Sequence, residues 1–140
     1  MRFCRRTVAV LVLGVAAAGC GGGSDPAGPI TDSNTVTLAT VQSSIFSSTC
    51  AVSGCHLDPG APFGMDLSQG NALPNTRNVA SSEVPTFDRI EPGRADESYL
   101  YLKVTADPRI SGDPMPAQGS PLSASQLDLL RRWIEQGANP

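Results

Sequence analysis

The 140-residue chain contains one histidine and one tryptophan, only 5% aromatic residues, and 16% charged residues. Its length excludes a large multidomain enzyme. With a single imidazole, a Ser/His/Asp arrangement would require His56 to act directly beside Cys55, and no nucleophile-elbow sequence is present. Adjacent Cys55 and His56 cannot face each other as nucleophile and base either. Basic residues are scarce and scattered. Three of the ten Lys and Arg (Arg2, Arg5, Arg6) fall within the first nineteen residues and none of the thirteen acids do, so the remainder carries 7 − 13 = −6. Arg77, Arg89, Arg94, Lys103, Arg109, Arg131 and Arg132 form no concentrated patch, which excludes nucleic acid as a partner. The glycines at 21–23 follow no strand and open no helix, so they are linker and not a phosphate loop. Asp58, Asp66, Glu91, Asp96, Asp107 and Asp113 stand mostly beside Pro or Gly as turn and cap residues, and none is assigned a catalytic role.

No hydrophobic run is long enough to span a bilayer as a mature helix. The one apolar stretch, residues 8–18, follows three arginines and ends Ala17-Ala18-Gly19-Cys20, the pattern of an export signal over residues 1–19 that also contains Cys4. These residues resemble the lipobox of bacterial lipoproteins, with Ala17 where Leu is usual. The resemblance implies acylation of Cys20 and a lipid anchor, stable because several acyl chains share one residue. Gly21 in place of Asp implies, by resemblance to Gram-negative lipoproteins, the outer membrane facing the periplasm. Ordinary secretory cleavage is the alternative. The following GGGSDPAGPITDSN reads as a flexible tether, giving a signal at 1–19, a tether at 20–35 and one folded domain at 36–140.

That domain reads as mainly α, with no segment alternating as a strand. Leu38, Val41 and Ile45 predict a helix running up to Cys50. Asp96 can cap a second helix, in which Tyr99, Leu100, Leu102 and Val104 supply apolar surface before Asp107-Pro108 stops it. Ser123 and Gln126 form a capping-box pattern for a third, with Leu127, Leu130 and Ile134 in one stripe, Leu129 and Trp133 beside it, and Gly137 at the stop. The span 57–94 is too long for a structureless loop, so it holds short helical turns or wraps something other than protein.

The chemistry concentrates in Cys50-Ala51-Val52-Ser53-Gly54-Cys55-His56. A c-type haem site needs two thiols to add to the porphyrin vinyl groups and an imidazole directly after the second, as proximal iron ligand. All three are present in that order. Four residues instead of two separate the cysteines, so the loop between them must bulge, and Ser53-Gly54 makes the bulge sterically cheap. The alternative is a Cys50–Cys55 disulfide in an exported domain. Zinc is weaker, because two thiolates and one imidazole leave its fourth position unfilled. Met115, fixed between Pro114 and Pro116 in a polar loop, reads as a positioned thioether able to serve as the second axial ligand and raise the reduction potential. Met65 is the competing candidate, and so close after His56 it reads as a wall contact.

The order helix, Cys50 to His56, long wrapping segment, loop methionine, amphipathic helix resembles a class I cytochrome c. Glu91-Pro92-Gly93-Arg94, Ser98-Tyr99-Leu100, Met115-Pro116 and Trp133-Ile134-Glu135-Gln136-Gly137-Ala138 are similar to the planctomycete-type cytochrome c domain, over residues 50–138. The resemblance implies one covalent haem c, thioether bonds at Cys50 and Cys55, and His56 and Met115 as axial ligands. A porphyrin would also supply apolar surface that the few aromatics do not, against which Phe63, Leu67, Leu100, Leu122, Leu127, Leu130 and Trp133 could pack. With both axial positions filled there is no open site for substrate, so the reading favours an electron carrier over a catalyst. Its redox partner is expected to present a basic docking patch to the acidic protein. Two alternatives stay open: a sensor or peroxidase-like enzyme with a labile distal ligand, and a haem-free interaction module stapled by a disulfide.

Overall fold

The computed structural model describes residues 34–140. The export signal, Cys20 and the tether up to residue 33 lie outside the described residues. Among the described residues four α-helices and three helical stretches of other pitch make up the regular structure, and strand pairing is limited to isolated bridges. The described residues form a small, mainly α domain.

The first helix, α1, spans Leu38–Val41 and is capped by Thr37, whose hydroxyl accepts from the Thr40 amide at 3.3 Å. It then widens into a π-helix over Gln42–Cys50, closed by the Ala51 amide donating to the Phe46 carbonyl at 2.7 Å. The serine-rich sequence accounts for this departure from a plain α-helix. Ser43 and Ser48 hydroxyls donate to the carbonyls four residues back, at 3.0 Å each, and compete with the α ladder for those acceptors. The wide turn also keeps Gln42 inside, where its Nε2 donates to the Leu67 carbonyl at 2.9 Å.

Short turns occupy the span 57–94: a 3-10 turn at Pro62–Gly64 and helix α2 at Ala72–Thr76. Bridges Arg77 to Ile90 and Ala80 to Asp88 then fold the segment back on itself. A second 3-10 turn, Ala95–Glu97, leads into α3, Tyr99–Thr105. Asp96 sits inside that turn and caps nothing. The N-cap of α3 is Ser98, fully buried, whose hydroxyl donates to the Arg94 carbonyl at 2.9 Å and so ties the turn to the helix start. The helix ends at Thr105, two residues before Asp107, with Ala106 left-handed at φ 55° as its C-cap.

Helix α4, Ala124–Glu135, begins with the expected Ser123/Gln126 capping box and ends at Gly137, whose φ of 98° suits the residue that stops a helix. Its buried face meets α1 and the π-helix. Trp133 is fully enclosed and stands edge-on to Phe46 at 6.1 Å between ring centroids, with Val41, Ile45, Leu130 and Ile134 around them. The indole N–H donates to the Asn139 carbonyl at 2.8 Å. Leu130 and Trp133 therefore bury against protein, whereas Leu67 and Leu100 face the cleft described next.

Candidate functional site

Cys50 is the last residue of the π-helix, and the chain leaves it through a closed loop. The Cys55 amide donates to the Val52 carbonyl at 2.9 Å, with Gly54 at φ 80° in the turn, and the His56 amide donates back to the Cys50 carbonyl at 3.0 Å. The four intervening residues thus bulge as a unit and return His56 to the end of the helix. Only glycine adopts the Gly54 conformation without strain.

His56 is held on both sides. Its carbonyl accepts from the Leu67 amide at 2.8 Å, and its ring Nδ1 lies 3.1 Å from the Met65 carbonyl oxygen. A carbonyl can only accept, so Nδ1 carries the proton and Nε2 is left with a free lone pair. This is how a metal-ligating imidazole is oriented. Burial, opposed by the Met65 hydrogen bond and assisted by the Arg89 charge, lowers the His56 pKa and favours the neutral, ligating form.

Met115 reaches the same place from a distant part of the chain. Its amide donates to the Lys103 carbonyl at 2.9 Å, which pins the loop 107–118 to α3. Two adjoining cavities, of about 110 and 430 Å³, share Cys50, His56, Pro62, Val104 and Met115 as lining. Phe63, Met65, Leu67 and Leu100 complete the apolar wall of the smaller cavity, while Cys55 and the turn around Gly54 border the larger.

Cys50, Cys55, His56 and Met115 all line these adjoining cavities, and Met65 lines the smaller one with His56. The two sulfurs are not joined to each other. Cys50 is half-buried, and that burial together with the neighbouring Cys55 pushes its thiol up to about 11. Among the described residues no three His, Cys, Asp or Glu side chains gather as a bare metal ion would need.

Sequence reasoning missed the polar end of the smaller cavity, where Ser81, Ser82, Glu83, Arg89, Tyr99 and Lys103 line the wall. Tyr99 and Lys103, four apart on α3, are both buried, and a charged residue on a helix's apolar stripe was the available signal. Arg89 and Glu83 lie in irregular chain, where no periodicity marks them. No family model matches the chain, and no curated protein or solved structure does so either.

Proposed function

We propose that this is a membrane-tethered, monohaem c-type cytochrome serving extracytoplasmic electron transfer, with a class I cytochrome c-like fold and an acylated Cys20 as its anchor. The observation that carries this reading is that Met115, 59 residues after His56, lines the same two adjoining cavities as Cys50 and His56. Cys50 and Cys55 would hold the porphyrin by adding their S–H groups across its two vinyl bonds. His56 would bind iron through Nε2, kept in register by the Met65 carbonyl. Met115 would offer the iron a soft thioether sulfur, favouring its reduced state and so raising the potential. The group supplies a one-electron ferric/ferrous couple. The chain's part is to exclude water with Pro62, Phe63, Leu67, Leu100 and Val104, and to leave no coordination position for substrate. The acidic surface would steer a basic redox partner toward it, more weakly as salt rises.

An alkaline pyridine haemochrome spectrum tests this, with a haem stain on a denaturing gel, for the full chain made in a host with cytochrome c maturation machinery. About one covalent haem per chain is expected. No haem, together with no titratable thiol at Cys50 and Cys55, would overturn the reading in favour of a disulfide-stapled module.

A further inference from the structure

Among the described residues five ion pairs form, and four of them join residues no more than four apart in sequence, each with an exposed partner. Pairs of that kind contribute little. The fifth is different. Lys103 Nζ lies 3.0 Å from the carboxylate of Glu83, 20 residues away in sequence, and the Lys103 side chain is buried. Tyr99, one turn back on α3 and also buried, donates its hydroxyl to the same carboxylate at 3.0 Å.

Both α3 side chains also hold one residue of the loop that follows the helix. Lys103 Nζ donates to the Ser111 carbonyl at 2.9 Å, and the Tyr99 hydroxyl accepts from the Ser111 amide at 2.9 Å. A Cβ on Gly112 would lie 3.6 Å from a Glu83 carboxylate oxygen, so the loop backbone passes directly over the pair. Three residues further on, the Met115 amide donates to the Lys103 main-chain carbonyl at 2.9 Å. Glu83 is thus joined to the loop after α3 through two side chains of the helix between them.

A buried ion pair adds little net stability over apolar residues of the same volume, and its best-attested use is to fix one register. Here it fixes the path of the loop into Met115. Both main-chain groups of Ser111 are satisfied by side chains and not by a ladder, so that path depends on Tyr99 and Lys103, and on the Glu83 carboxylate that binds them both. We infer that Glu83, Lys103 and Tyr99 form a latch that positions the Met115 thioether in the cavity wall it shares with His56. What the sulfur meets there, the haem iron, rests on the proposed function. The three residues act on it only through the loop, as positioning residues.

Carbon monoxide entry into the ferrous, haem-loaded protein tests this, together with amide hydrogen exchange. With Met115 as ligand the gas binds only as fast as the sulfur leaves, and Met115→Ala sets the unlatched limit. Tyr99→Phe removes one hydroxyl, and Lys103→Met removes the ammonium while the part-exposed Glu83 can turn to water. Each is expected to speed entry about tenfold, the worth of a lost hydrogen bond to a charged group, and to raise exchange at the Ser111 and Met115 amides. Trp133→Phe is the control, because it weakens the core but lies outside both cavities, and its entry rate should match wild type. Wild-type entry in either latch variant, or equal acceleration in Trp133→Phe, would overturn the inference. Slow entry in Met115→Ala also overturns it, since the latch would then position no ligand, and leaves the haem reading intact. If a latch variant does not load, exchange in loaded wild type decides. Ser111 and Met115 amides as protected as those of α3 support the latch, and amides as open as that of exposed Gly119 refute it. A wild type without haem overturns both readings, and loading is measured before any variant is compared.

Discussion

Trp133→Phe tests whether the core rests on the α4 face packed against the π-helix. The indole is fully buried, edge-on to Phe46, and bonded through its N–H to the Asn139 carbonyl. Phenylalanine keeps an aromatic ring but loses that hydrogen bond, worth about 1 kcal/mol because exposed Asn139 can turn to water. Shrinking the ring leaves a small cavity at roughly another 1 kcal/mol. A total near 2 kcal/mol lowers the melting temperature of a domain this size by about 10 °C. Calorimetry of the haem-loaded protein reads this, and the visible spectrum should not change because Trp133 does not line the cleft. Combining Trp133→Phe with Phe46→Leu in a double-mutant cycle should recover a coupling of about 0.5–1 kcal/mol. A melting temperature within about 2 °C of wild type would refute the claim that this contact organises the core.

Met115→Ala in the haem-loaded protein should keep the covalent haem, lower the reduction potential and open a position to which carbon monoxide or cyanide binds rapidly. Unchanged ligand access would transfer the axial role to Met65 or leave it with neither. Asp107 is held at about 2, chiefly by the side-chain and backbone hydrogen bonds of Arg109. Its pKa is lower folded than unfolded, so its contribution is complete above about pH 4 and is lost as pH falls toward 2. Asp107→Asn should therefore flatten the acid limb of a stability–pH curve in that window and leave the neutral region unaltered in slope.

Helix α4 was legible because its signals are local: a capping box, a heptad-like stripe and a terminal glycine each act within a few residues. The helix reaching Cys50 was legible in position but not in pitch. The apolar spacing of Val41 and Ile45 is equally compatible with both ladders, and the choice is made by serine hydroxyls and by a buried Gln42 whose partner, Leu67, is 25 residues away. Asp96 misled as a cap because Ser98, two residues on, had a stronger claim through its bonds back to Glu91 and Arg94. In the site, Cys50, Cys55, His56 and Met115 could be named from residue type and order. The polar residues of the wall could not, since Arg89 and Glu83 lie in irregular chain and reach it through partners such as the Phe63 carbonyl and Lys103, 26 and 20 residues away, which no spacing reveals.

Cys50 is half-buried, and that burial together with the neighbouring Cys55 pushes its thiol up to about 11. Such a site favours products that carry no ionisable proton, and a thioether and a disulfide both qualify. His56 is the sharper discriminator between them. Its ring is oriented by the Met65 carbonyl with Nε2 unprotonated, an arrangement the proposed haem would use and a Cys50–Cys55 disulfide would not. The haem reading therefore fails if His56 and the two cysteines can be substituted one at a time in the wild-type chain with no change in covalent haem content, potential or spectrum.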